Sequence, residues 1–204
     1  MARPFQSRDK SVILGAGLYK DHQTYGDFKM SMRQLALYAG LLCAAFIFTG
    51  KNAAAAEPQK IGQWGNWSAY VLNEEGKKVC YMVSSPVKMQ GAYTKRDEVF
   101  ALITHGPDGA KNVFSYITGY GYKPASDATL TIDGKRFILF TQDDTAWAYD
   151  SETDEMITKA VRAGSKMTVQ GSSARGTLTT DTFSLKGSSS AHDAISKACG
   201  VKVK

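Results

Sequence analysis

The chain has 204 residues, with 25 Lys+Arg against 19 Asp+Glu, a formal charge of +6, and 43% hydrophobic residues. Residues 1–56 hold 7 basic and 3 acidic groups, whereas residues 57–204 hold 18 and 16, leaving the larger part near neutral at +2. That balance removes the main support for a nucleic-acid partner, and the length of this part suits one domain with its own core.

The first organised element reads as an export signal. Met30 and Met32 precede Arg33, residues 35–48 form an apolar run, and Ala54-Ala55-Ala56 before Glu57 presents small residues for cleavage. The run is shorter than the roughly 20 apolar residues of a spanning helix, so membrane contact is expected only in transit, through the signal peptide. Residues 1–29 are accordingly read as an upstream leader outside the true protein, which starts at Met30 or Met32. Residues 30–56 are read as the signal peptide and 57–204 as the exported domain. The expected location is the periplasm, with outer-membrane association or secretion as further destinations. An uncleaved anchor is the competing reading of residues 30–56.

Within the domain, residues 67–72 and 78–84 are strand-like runs around Asn73-Glu74-Glu75-Gly76. Residues 99–105 and 112–118 flank Gly106-Pro107-Asp108-Gly109, which reads as a hairpin loop. Asp133-Gly134 joins 129–132 to 135–141, and a two-residue Asp-Gly connection fits a type I′ turn, where both central residues need positive φ. A helix is expected over 151–163, capped by Ser151, stopped by Gly164, and buried along Met156, Ile157, Ala160 and Val161. Residues 167–171 and 177–185 form a further strand pair. A second helix is expected over 190–199, capped by Ser188 or Ser189 and stopped by Gly200, with Ala191, Ala194, Ile195, Ala198 and Cys199 inward. Many short strands with two short helices predict a mainly β fold, a β-sandwich. Cys43 leaves with the signal, so Cys80 and Cys199 remain as an even pair in an exported domain. They predict a disulfide, with two separately buried thiols as the alternative.

Residues that could carry chemistry are few. No Gly-x-Ser-x-Gly elbow occurs, and Ser85-Pro86-Val87-Lys88 follows a strand without its companion motifs. His105 and His192 are too few for a zinc set once the cysteines are bridged, so no catalytic, cofactor or metal residue is assigned. His105 is expected as a partly buried turn residue and His192 as a surface residue of its helix. Asp143, Asp144, Asp150, Glu152, Asp154 and Glu155 form either a calcium cluster or a solvated acidic surface; without the central glycine of an EF-hand, the surface is favoured. Tyr116, Tyr120 and Tyr122, around Gly119 and Gly121, read equally as an aromatic binding strip or as sheet packing.

Several short motifs then combine in a fixed order. They are Thr104-His105-Gly106-Pro107, Ile132-Asp133-Gly134-Lys135, Asp144-Thr145-Ala146-Trp147, Ser173-Ala174-Arg175-Gly176-Thr177, Thr180-Asp181-Thr182-Phe183-Ser184-Leu185-Lys186-Gly187 and Ala198-Cys199-Gly200. Together they resemble the invasion-associated locus B family of alphaproteobacteria, from about residue 67 to residue 200. The resemblance implies an immunoglobulin-like β-sandwich in the periplasm or at the outer membrane, a link to host-cell invasion in founding members, and no established active site. The expected function is a non-enzymatic envelope protein that binds an unidentified protein or cell-surface component and contributes to host interaction or envelope integrity. Its expected contact residues are Trp147, Arg175, Tyr120 and Tyr122. The alternative is a periplasmic enzyme acting on envelope material, which needs His105 and a carboxylate such as Asp144 to converge in a cleft.

Overall fold

The computed structural model describes residues 57–74, 76–107 and 109–202; the expected leader and signal peptide lie outside them. Strands β1 (Gln59–Trp64), β2 (Trp67–Glu74) and β3 (Lys77–Ser84) form a meander, followed by the short β4 (Lys88–Gly91). Then come β5 (Phe100–His105), β6 (Val113–Ile117), β7 (Asp127–Ile132), β8 (Lys135–Gln142) and β9 (Thr145–Trp147). Helix α1 (Ser151–Ala163) leads to β10 (Lys166–Ser172) and β11 (Leu178–Ser184), and helix α2 (Ser188–Cys199) follows.

All pairings among these strands are antiparallel, in the order β1-β2-β3-β5-β6-β9-β8-β7-β10-β11-β4. This continuous sheet folds over into a sandwich, with β2 and β6 of one half facing β11 of the other. The Trp67 indole N–H donates to the Ser184 carbonyl at 3.0 Å, and the Tyr116 and Phe183 rings meet edge to face at 6.2 Å. Between the layers lies one core that includes Trp67, Met82, Ile103 and Phe114 from the first half, and Leu130, Leu139, Met167 and Phe183 from the second. Alternation along strands such as β7, β10 and β11 sends every second side chain to this interior. The mainly β sandwich with two helices matches the sequence reading.

The Asp133-Gly134 turn is confirmed, with φ of 45° and 91° at its two residues. Both helices start earlier than expected: the cap of α1 lies one residue upstream of Ser151, and α2 begins at Ser188 rather than near residue 190. Asp150 caps α1 by accepting the Thr153 N–H at 2.7 Å, because a carboxylate one residue upstream of Ser151 reaches the same orphan donor. Gly187 occupies the cap position of α2 at φ 92°, where a Cβ would lie 2.1 Å from the Trp64 carbonyl oxygen. That contact leaves room only for glycine. Cys80 and Cys199 are bonded, with Cα atoms 6.0 Å apart, so β3 is stapled to the last residue of α2 across 119 positions. No helix among the described residues is long and apolar enough to cross a membrane.

Candidate functional site

Helices α1 and α2 meet the end of β5 over a buried polar cluster. His105 is fully buried and His192 nearly so, with their rings edge to face at 5.4 Å. His105 Nδ1 accepts the Asn112 backbone N–H at 3.1 Å, which places the ring proton on Nε2, 3.0 Å from Ser196 Oγ. Arg162 donates to His192 Nδ1 at 2.6 Å, so His192 Nε2 donates to Asn112 Oδ1 at 2.8 Å. Asn112 Nδ2 in turn donates to Glu155 Oε2 at 2.6 Å. Burial pushes both imidazoles down to about 4, and for His192 the adjacent Arg162 guanidinium adds to that effect. Both rings are therefore neutral at pH 7.

A serine between two histidines has the composition of an activated nucleophile, but these hydrogen bonds prevent it. Removing the Ser196 proton needs a free ring nitrogen. His105 Nε2 already carries a proton, and His192 Nδ1 is occupied by Arg162. Ser196 is also 1% exposed, out of reach of any substrate. Asp144, the carboxylate that the enzyme alternative needs beside His105, instead accepts the Thr145 hydroxyl at 2.9 Å. The structure pairs His105 with Ser196 and Asn112, and does not bring it to Asp144.

Two other expectations are corrected here. His192 is interior rather than on the surface, because α2 turns Ser188, Ala191, His192, Ile195 and Ser196 inward. The acidic stretch is not uniformly solvated, since Asp154 is buried and accepts the Phe114 N–H at 2.8 Å. Burial raises its carboxyl to about 6, against that hydrogen bond. Among the described residues, no three His, Cys, Asp or Glu side chains are placed to share a metal ion.

A second polar cluster sits inside the sandwich. Arg96, from the segment between β4 and β5, forms a two-pronged ion pair with Asp181 of β11 at 2.8 and 2.6 Å. Its remaining donors reach the Thr118 carbonyl at 2.6 Å and the Thr118 hydroxyl at 2.9 Å. The Tyr116 hydroxyl donates to Asp181 as well. Burial, and then the Asp181 charge, holds that phenol well above its ordinary range. The Arg96 guanidinium lies 4.9 Å from the centre of the Tyr120 ring, a cation–π geometry.

The four expected contact residues divide between two places. Tyr122 is 6% exposed and belongs to the core, where it meets Tyr120 edge to face at 5.5 Å. Packing, rather than a surface strip, is the role the structure gives it. Tyr120 is half-buried and bonds Thr179 Oγ1 at 2.7 Å. Arg175 is exposed in the β10–β11 connection, which is held to the same loop by the Ala174 N–H on the Gly121 carbonyl at 2.8 Å. Trp147 lies elsewhere. Its neighbour Ala146 points into the core, so the Trp147 side chain takes the outer face, in register with Ser115 and Phe140. Phe140 meets Tyr149 edge to face at 5.4 Å, and Tyr149 and Ile138 are exposed beside it.

The family model for the invasion associated locus B protein matches residues 67–196, well over half of the chain and nearly all of the sandwich. The chain belongs to the invasion-associated locus B family. Among solved structures it is similar to invasion associated protein b from Bartonella henselae, at 18% identity and a TM-score of 0.46, covering 68% of this chain and 96% of that one. No curated protein matches it. In this member of the invasion-associated locus B family, both polar clusters fall inside the matched span.

Sequence reasoning missed Arg96, Asn112, Arg162 and Asp181 as organising residues. Arg96 looked like one charge in Lys95-Arg96-Asp97-Glu98, and its partner is 85 positions away. Asp181 carried a usable signal. It alternates with Thr179, Phe183 and Leu185 at inward strand positions, and a charge there demands a buried partner.

Proposed function

We propose that this protein is an exported, non-enzymatic binding protein of the cell envelope, located in the periplasm or at the outer membrane, that captures a protein or cell-surface component. The observation that carries this reading is the outer-face group of Trp147, Phe140, Tyr149 and Ile138. Their large side chains sit on the solvent side of a sheet whose interior is already filled, and apolar groups of that kind mark contact surfaces. The histidine arrangement supports the non-enzymatic part, because its serine and rings are sealed and mutually satisfied. Tyr120 and Arg175 form a second, more polar contact region at the loop end, and the partner's engagement of the envelope contributes to host interaction or envelope integrity.

The test is binding of the labelled protein to outer-membrane fragments, compared with Trp147→Ala and Tyr149→Ser. Loss of binding with an unchanged melting temperature supports the reading. Equal binding by all three proteins removes the outer face from it. Cell fractionation with an intact mass tests the export part, and a mass for residues 57–204 in the periplasmic fraction is the expected result.

A further inference from the structure

The histidine cluster forms the floor of a cleft whose rim has a different chemistry. Lys111, Lys159, Arg162 and Lys202 line it with Asn112, Thr158 and His192, and Glu155 is the single lining carboxylate. These cations come from three places: the β5–β6 loop, one face of α1, and the segment just after α2. The Cys80–Cys199 bond anchors the last of these, three residues before Lys202.

The acidic groups nearby are already committed. Glu155 is held by Asn112 at 2.6 Å and by Lys159 at 3.6 Å, and Asp193 takes Arg162 at 2.6 Å. Lys111 and Lys202 make no hydrogen bond or ion pair to a described carboxylate, so four cations face two engaged anions. Asn112 is itself costly to place. It is buried with φ at 58°, in the left-handed region, and all its polar groups are used: N–H to His105, carbonyl to Thr158, side chain to His192 and Glu155. The network fixes the floor. Above it, Lys111 acts on Glu155 only through space, without an ion pair, while Asn112 and Lys159 hold that carboxylate directly. Space for water-sized groups is about 30 Å³, enough for one compact terminal group and too little for a whole organic substrate.

We propose that this α1–α2 cleft binds a phosphate group, with Lys111 and Lys202 as its main charge partners and Arg162 and Lys159 completing the positive rim. Lysine ammonium groups suit phosphate as point charges that need no fixed planar geometry. The phosphate is either free or the headgroup of an anionic envelope lipid. This site is separate from the Trp147 face and stands or falls independently of it.

The experiment uses the full chain at low ionic strength, with calorimetric titration of inorganic phosphate and co-sedimentation with phosphatidylglycerol or phosphatidylcholine vesicles. The variants are Lys111→Gln/Lys202→Gln and, as a control, Lys88→Gln/Lys123→Gln, which removes two exposed lysines elsewhere. Saturable phosphate binding that weakens at least tenfold in the cleft variant alone supports free phosphate as the ligand. Sedimentation with phosphatidylglycerol vesicles only, lost in the cleft variant alone, supports the lipid headgroup. Absence of both, or equal losses in the control variant, overturns the proposal. Thermal unfolding of each variant in phosphate-free buffer identifies a loss caused by misfolding, and Lys111→Arg/Lys202→Arg, which keeps the charge, then decides: restored binding supports the site and continued loss overturns it.

Discussion

Arg96–Asp181 and His105–His192 are both walled off from water, yet the first pair is ionic and the second carries no charge at neutral pH. The ion pair sits between the two layers of the sandwich, where it joins β11 to the β4–β5 segment and, through Tyr116, to β6. The histidine pair sits between the sandwich and its helices, beside a cleft with a basic rim. A bidentate ion pair with every donor satisfied tolerates a dry interior, because each charge is the other's solvent. The imidazoles tolerate theirs by staying neutral, which leaves them open to acid.

That contrast can be broken most forcefully at Asp181. Asp181→Ala strands a buried guanidinium and is expected to cost about 3–5 kcal/mol in chemical denaturation. Arg96→Met with Asp181→Leu together should cost far less than the sum of the two single changes; additive losses would show that the pair is not one unit. Next in size is removal of the disulfide with Cys80→Ser and Cys199→Ser, expected to cost about 2–4 kcal/mol. Hydrogen exchange should then accelerate in α2 and around His192, with little change at Arg96. Uniform acceleration would mean that the two regions open together.

Between pH 6.5 and 4.5, acid should act on the histidine region. The unfolded chain protonates these rings near pH 6.5, while the folded protein resists until about 4. Their stabilising contribution is therefore complete above pH 6.5 and is lost as pH falls through that window. Asp154 works in the opposite sense. Its folded carboxyl holds a proton below about pH 6, so it returns part of the loss. The net difference is about one proton, or roughly 1.4 kcal/mol per pH unit, and urea midpoints between pH 6.5 and 4.5 should show a fall of about 2–3 kcal/mol. Asp154→Asn should steepen that slope, and a flat profile would contradict a neutral pair. Smallest is Ser196→Ala, which leaves the His105 N–H unsatisfied and should cost about 1–2 kcal/mol.

Much of the fold was legible because pattern and turn chemistry agreed. The Asp133-Gly134 hairpin, the β2–β3 meander and both helices follow from local residues. Strands β1, β4 and β9 did not. β4 is exposed at all four residues and β1 is largely exposed, so neither shows the inward alternation that marks a strand, and both exist because an edge of β2 or β11 offers pairing. β9 is three residues long. Helix α1 was located correctly, and its expected face holds at Ile157, Ala160 and Val161 but not at Met156. Met156 is 38% exposed, while Asp154 and Thr158 turn inward with Ile157 and Val161. Hydrophobicity alone cannot identify a face that buries hydrogen-bonded polar groups, and the histidine cluster went unseen for the same reason. Trp147 was found at a strand end in a recognisable motif, whereas its outer-face company with Phe140 and Tyr149 needed the sheet register.

The contacts that close the sandwich have a consequence for the order in which the molecule can form. Trp67 waits for Ser184, 117 positions later, and Arg96 waits for Asp181. β4 has no partner until β11 exists. A chain emerging from the ribosome can assemble the β2-β3-β5-β6 meander early, but Met82, Ile103 and Phe114 are covered only as the later strands are made. β7, β8 and β10 begin the second layer, but β11, the strand that holds β4 and reaches Trp67 and Arg96, and then α2 arrive only with residues 178–199. Such long-range closure delays the committed native state until synthesis is almost over. Until β11 is made, the chain therefore lacks the contacts that lock its two layers together.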